Sequence, residues 1–315
     1  MKADIVIVNW NSGDQLRDCV DSLRAHGDGH VAQLIVVDNG STDGSAEFAQ
    51  GASDVDLVLL GHILGFGAAC NLGAARGDAD FVLFLNPDAR LLDGTFSRMG
   101  AVADDPSKLG VGVFGARLVH EDGSTQRSCA RFPYVISFLA ASFGATRLFK
   151  SIGMHMDDWD HANTRSVDHV IGAFYLIRRG LFDRLGGFDE RFFVYLEDLD
   201  LSRRVQNEGY EILYLADIIA YHKGGGVSEQ VKAHRLFYSL RSRILYARKH
   251  FSVAGALAVA GSTLGPELLA RGGHLALRRA WGEFGDLWRG YRMLWSWARQ
   301  TGAGHRPSDW DRRTG

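Results

Sequence analysis

Four short apolar runs, at residues 5–8, 34–37, 57–60 and 81–85, dominate the first 90 positions and limit what the chain can become. Each is rich in Val, Ile, Leu or Phe and lacks polar alternation, the pattern of strands buried on both faces. Between them lie stretches of helical spacing, Leu16, Cys19, Val20 and Leu23, then 68–75, so the order reads strand, helix, strand, helix, strand, helix, strand. That alternation predicts an α/β fold with a doubly wound, mostly parallel sheet. Polar residues follow the carboxyl ends of these runs: Asn9 and Asn11, Asp38 and Asn39, Asn86 and Asp88. In open α/β sheets ligands bind along that edge. The dense turn at 38–45, with Ser41 or Thr42 as an N-cap, reads as the start of a helix.

From about 110 to 166 the periodicity is poor, as in a lid or acceptor-binding loop. A second block from Val170 to Tyr221 reads as strand, glycine turn, helix starting near Leu196 or Glu197, and strand. From about Leu236 the chain reads as helical. Trp281, Phe284, Trp288, Tyr291, Trp295 and Ala298 recur at steps of three and four among arginines, predicting an amphipathic basic helix. Such a helix packs on the protein body, pairs two copies as a homodimer, or lies on an anionic membrane surface. The expected domains are 1–245, divided into a nucleotide-binding half (1–110) and an acceptor half (111–245), and a helical extension over 246–315.

Charge and cysteine usage exclude other classes. The 35 Lys and Arg against 37 Asp and Glu give a net charge of −2, without the basic field of a nucleic-acid binder. Cys19, Cys70 and Cys129 have no paired spacing, which predicts reduced thiols. The first apolar run is too short for a signal-peptide core, so the expected location is cytoplasmic. The uncharged stretch 251–266 falls short of a membrane span. Gly65, Gly67 and Cys70 lack the third glycine of a dinucleotide fingerprint, and no phosphate-binding loop, nucleophile elbow or zinc-protease signature occurs.

Three features carry chemistry. Asp88 ends the apolar run 81–85 and is a metal candidate, because a hard cation takes one or two carboxylates plus substrate phosphate oxygens. Glu197 and Asp198 crowd a helix start. The dipole favours acids there, and Asp200 is spaced to pair with Arg204, yet adjacent carboxylates point in different directions and one of them can serve as general base. His222, before Lys223 and the glycines at 224–226, is a metal or phosphate ligand candidate.

In their order these pieces resemble family 2 glycosyltransferases of the GT-A fold, in the bacterial rhamnosyltransferase-like group. The matching motifs are Val-Asn-Trp-Asn at 8–11, Val-Asp-Asn-Gly-Ser-Thr-Asp-Gly-Ser at 37–45, Gly-Phe-Gly at 65–67 with Asn71 and Gly73, and Leu-Asn-Pro-Asp at 85–88. Asp-Gly-Ser-Thr-Gln at 122–126, Gly-Gly-Phe-Asp-Glu-Arg-Phe-Phe at 186–193, Glu-Asp-Leu-Asp at 197–200 and His222 complete the series. One departure is Ile63, where the family usually has Asn. The resemblance implies inverting transfer of a sugar, L-rhamnose from dTDP-rhamnose, to a cell-surface glycan or lipid-linked acceptor with Mg²⁺ or Mn²⁺. A UDP-sugar donor is the alternative, and a non-catalytic sugar-nucleotide-binding scaffold a further one. It also implies roles: Asp38 on the base or ribose beside Asn9 and Asn11, Asp88 as metal ligand with Asn86 a weaker neighbour, His222 as late metal or diphosphate ligand, Asp198 as base and Glu197 as positioner. Gly65, Asn71, Gly172 and Arg204 are further substrate-contact candidates.

Overall fold

The computed structural model describes residues 1–27, 29–147, 149–224 and 231–302. The glycine-loop positions 225–228 and the tail beyond 302 lie outside the described residues. The chain begins β1 (Ala3–Asn9), α1 (Gln15–His26), β2 (Val31–Asp38), β3 (Asp56–Leu59), α2 (Phe66–Ala74) and β4 (Phe81–Leu85). These elements match the expected ones closely, and Leu16, Cys19, Val20 and Leu23 of α1 are all buried. The exception is the link from β2 to β3. Instead of a helix it holds a single 3₁₀ turn at Glu47–Ala49. Gly40, Gly44 and Gly51 there adopt left-handed φ, which interrupts any helix.

The chain continues with β5 (Ala89–Leu91), α3 (Thr95–Ala103), β6 (Val111–Val119), β7 (Cys129–Ala130), α4 (Val135–Ser142), β8 (Arg165–Val167), β9 (His169–Val170) and β10 (Phe174–Arg178). After α5 (Arg179–Arg184), α6 (Glu197–Asn207) and β11 (Glu211–His222) come α7 (Lys232–His250), α8 (Val253–Leu264), α9 (Pro266–Leu277) and α10 (Phe284–Gly302). The main sheet runs β3-β2-β1-β4-β10-β6-β11-β5, with β8 beside β11. β3, β2, β1 and β4 are parallel, as the sequence predicts; β10 enters antiparallel to both β4 and β6, so the whole sheet is mixed. The central β6 falls in the stretch of poor periodicity. It is buried almost throughout, which removes the alternation that would announce a strand.

By contacts the chain forms two compact units. One comprises 1–130, 159–189 and 198–227; the other comprises 131–158, 190–197 and 228–315. These do not coincide with boundaries at 110 and 245. Among the described residues every strand lies in the first unit, whose core joins the strand interiors to α1 and α3. The second is helical, and α10 buries Leu287, Tyr291, Leu294 and Trp297. That face is shifted from the expected stripe: only Tyr291 of it is fully buried, whereas Trp281 and Trp288 are exposed. Among the described residues, Cys19, Cys70 and Cys129 are buried as thiols.

Candidate active site

The carboxyl ends of β1 and β2 form the first part of the site. Asn9 and Asp38 are cross-strand neighbours at the last paired position. The Asn9 amide donates to Asp38 Oδ1 (2.8 Å), Ser45 Oγ (2.8 Å) and Ser41 Oγ (3.1 Å), and its Oδ1 accepts from Ser12 Oγ. Asp38 Oδ2 accepts from the Ser41 N–H at 3.1 Å. Ser41 therefore braces this turn and caps no helix. Asn9 is wholly buried with its hydrogen-bonding groups committed, which places it to hold Asp38. Asn11, at φ 47°, accepts from the Thr42 N–H at 2.7 Å and clasps the same loop.

The second part lies after β4. Asn86, Asp88 and His222 come together: His222 Nε2 is 3.3 Å from Asp88 Oδ1 and 3.5 Å from the Asn86 amide nitrogen. Asp88 Oδ2 also accepts from the Gly224 N–H at 3.2 Å. On the far side of the ring, His222 Nδ1 lies 2.8 Å from Gln126 Oε1. The Gln126 amide is oriented by its NH₂, which donates to the His222 carbonyl (2.6 Å) and faces His120 Nδ1 (2.9 Å). Gln126 Oε1 thus accepts from Nδ1 and orients the ring with Nε2 toward the carboxylate, the tautomer control seen around metal-ligating histidines. His222 Nε2 and Asp88 Oδ1 face each other at 3.3 Å, a contact that a second imidazole proton or a cation between them satisfies. Burial works to raise the Asp88 carboxyl, but the hydrogen bond and charge of His222, with the Gly224 N–H, hold it below the usual carboxylate range. No cluster of three His, Cys, Asp or Glu occurs among the described residues. The donor set suits a cation that draws its remaining ligands from substrate oxygens and water.

The third part is Asp198, at the start of α6. Its Oδ2 accepts from the Gly172 N–H at 2.8 Å and lies 3.6 Å from His169 Nε2. Behind it, His169 Nδ1 is 2.8 Å from Ser202 Oγ, which is 3.1 Å from the Tyr175 hydroxyl, all buried. The next residue, Ala173, accepts at its carbonyl from the Asn86 N–H at 3.1 Å. Consecutive residues therefore tether Asp198 and the Asn86–Asp88 turn to one strand entry. Glu197, which begins α6, is buried and follows Tyr195 and Leu196, both at positive φ (70° and 64°). Two consecutive left-handed non-glycine residues are costly, and such strain gathers at functional positions.

Two candidates serve the scaffold. Arg204 gives its guanidinium to Asp200 (2.9 Å) and to the carbonyls of Leu185 (2.9 Å) and Gly187 (2.8 Å), and so braces the 185–187 turn. Asn71 donates to the Phe188 carbonyl (2.9 Å) and accepts from its N–H (2.8 Å), pinning the adjoining residue. Gly65, at φ 99°, lets the chain turn into α2. The roles of Gln126 beside His222 and of His169 beside Asp198 have no local signature in the sequence, because each partner lies far away along the chain.

The family model for glycosyl transferase family 2 matches residues 4–186. The chain is 29% identical over 268 residues to an N-acetylglucosaminyl-diphospho-decaprenol L-rhamnosyltransferase of Mycobacterium tuberculosis, covering 78% of this chain and 84% of that one. It is 26% identical over 257 residues to the rhamnosyltransferase WbbL of Escherichia coli, covering 78% and 92%. In fold it resembles the mannosyltransferase PcManGT from Pyrobaculum calidifontis, solved with GDP-Man and Mn²⁺. The TM-score is 0.52 at 18% identity, covering 93% of this chain and 86% of that one.

Proposed function

The chain belongs to glycosyl transferase family 2, and we propose that it moves L-rhamnose from dTDP-rhamnose to a hydroxyl of a lipid-linked glycan, in one inverting displacement on the cytoplasmic side. The observation that carries this reading is the shared tether: Gly172 holds Asp198 while Ala173 holds the turn bearing Asp88. An acceptor base and a diphosphate site on one rigid strand entry are what a single displacement needs. The two rhamnosyltransferase relatives support the choice of sugar.

In this mechanism Asp198 accepts the proton of the acceptor hydroxyl as that oxygen attacks the anomeric carbon. His169 is a positioning residue that, with the Gly172 N–H, fixes the carboxylate. Glu197 orients the sugars, and Asp38 receives the base or ribose in the pocket braced by Asn9. Asp88 and His222 would hold Mg²⁺ or Mn²⁺, which supplies neutralisation of the negative charge on the departing nucleoside diphosphate.

A panel of dTDP-, UDP- and GDP-sugars with Mn²⁺, read by thermal shift and turnover, tests the donor. Preferential stabilisation by dTDP-rhamnose is expected; preference for a UDP sugar overturns the donor and leaves the family intact. Asp198→Asn should bind donor as before while turnover falls roughly 10²- to 10⁴-fold. Unaltered turnover would remove Asp198 from the base role.

A further inference from the structure

Helices α8 and α9 are built with their polarity reversed. The exposed face of α8 is Val253, Ala254, Leu257, Ala258 and Gly261, one helical stripe without a polar side chain, while Ser262 and Thr263 point inward. In α9 the buried residue is Glu267, and Leu269 and Leu277 are outside. A surface helix in water does the opposite. Among the described residues, Val253, Leu257, Leu269, Leu277, Trp281 and Trp288 are 54–87% exposed within one stretch of 36 positions, a concentration that marks an interaction surface.

The charge of the same region is equally one-sided. Residues 231–302 carry twelve Lys and Arg against three Asp and Glu, a net charge of +9 in a chain whose total is −2. One of those acids, Glu267, is neutralised internally by Arg243 (2.5 Å) and Arg271 (2.8 Å). Arg278, Arg279, Arg289, Arg292 and Arg299 are exposed. A cavity of about 620 Å³ within the helical unit adds Lys232, Arg271 and Arg278 beside Leu236 and Leu275, with Glu283 and Asp286 also in its wall.

Taken by length and composition, 253–277 passes for a membrane span. Its geometry does not fit one. Gly265 and Pro266 divide it into two helices of 12 residues, about 18 Å each at 1.5 Å per residue, against a hydrocarbon core of about 30 Å. The buried Glu267 also ties α9 to α7 through Arg243.

We propose that α8 and α9 form an interfacial anchor. Their outward Val and Leu side chains, with Trp281 and Trp288, enter the headgroup and acyl boundary of a phospholipid monolayer, and the surrounding arginines bind anionic headgroups without a span. This goes beyond the proposed transfer reaction and does not depend on it.

Flotation of the full chain with vesicles of phosphatidylcholine alone or with 30% phosphatidylglycerol is the test. Binding to the anionic vesicles, at least 10-fold stronger than to the neutral ones and weakened by 0.5 M NaCl, is expected. Leu257→Glu with Leu269→Glu should lower it at least 10-fold at unchanged melting temperature, and Arg278→Glu with Arg279→Glu should abolish the preference for anionic lipid. Leu59→Glu, an exposed apolar site of the other unit, should leave binding intact. Carbonate at pH 11 should strip the protein from the vesicles. Retention under carbonate, undiminished binding of the double Leu variant, or no binding by the parent chain overturns the anchor. So does a concentration-dependent dimer, without lipid binding, that the double Leu variant loses, since a second copy would then cover this face.

Discussion

The two ends of the candidate site are built on different terms. Around Asn9 and Asp38 the partners are supplied from within: side chains and N–H groups of residues 9–45 close a network around one carboxylate. Around Asp88 and His222 the carboxylate faces an imidazole nitrogen across 3.3 Å, a pair completed either by a proton on that nitrogen or by a cation taken from outside. The first end is preorganised and depends on its own hydrogen bonds for stability. The second keeps part of its interaction energy for a ligand, as sites that stabilise developing charge do.

Substitutions should separate the two ends. The largest effect is expected for Asp88→Asn, which should lower turnover roughly 10³-fold and Mn²⁺ affinity at least about 10-fold by titration calorimetry. It should also alter acid unfolding. A carboxyl held below its ordinary pKa of about 3.9 contributes stability above that pH, and the contribution is lost as pH falls through the depressed value. The parent chain should therefore lose stability more steeply below about pH 4 than the variant. Equal slopes would deny Asp88 its electrostatic anchoring.

Asn9→Ala acts on the other end. It strips the buried Asp38 of a donor and should cost about 2–3 kcal/mol in urea unfolding with Mn²⁺ affinity unchanged. A variant of parental stability would mean that the network is not self-supporting. The smallest effect is expected between the ends, at Gly172→Ala. The added Cβ would lie 3.2 Å from Asp198 Oδ2, displacing the carboxylate by a few tenths of an ångström. Turnover should fall roughly 10-fold through kcat, with donor KM and melting temperature held. A rise in KM alone would place Asp198 outside the chemical step.

What the sequence discloses follows the range of the interactions. β1, α1, β2 and β4 are legible because their patterns are local and their cores contiguous. β6 is not. Its glycines, Gly112 and Gly115, let Leu181 and Val170 approach where a Cβ would stand 2.5–2.6 Å away, and their role emerges only once those partners are in place. The antiparallel entry of β10 between β4 and β6 is likewise a long-range outcome. In the site, residue type at a strand end points to Asp38 and Asp88, whereas the bracing work of Asn9, Asn71 and Arg204 depends on partners up to 117 positions distant.

The buried thiols have a practical consequence. Burial pushes Cys19 far up and Cys129 to about 12, so little thiolate forms near neutrality and alkylating reagents find few targets. Cys70 is equally enclosed. The native chain is in effect spectroscopically blank toward maleimide probes. A cysteine introduced at an exposed position such as Leu257 or Trp288 would then carry a spin label or fluorophore without removing a native one, and depth-dependent quenching could be read position by position.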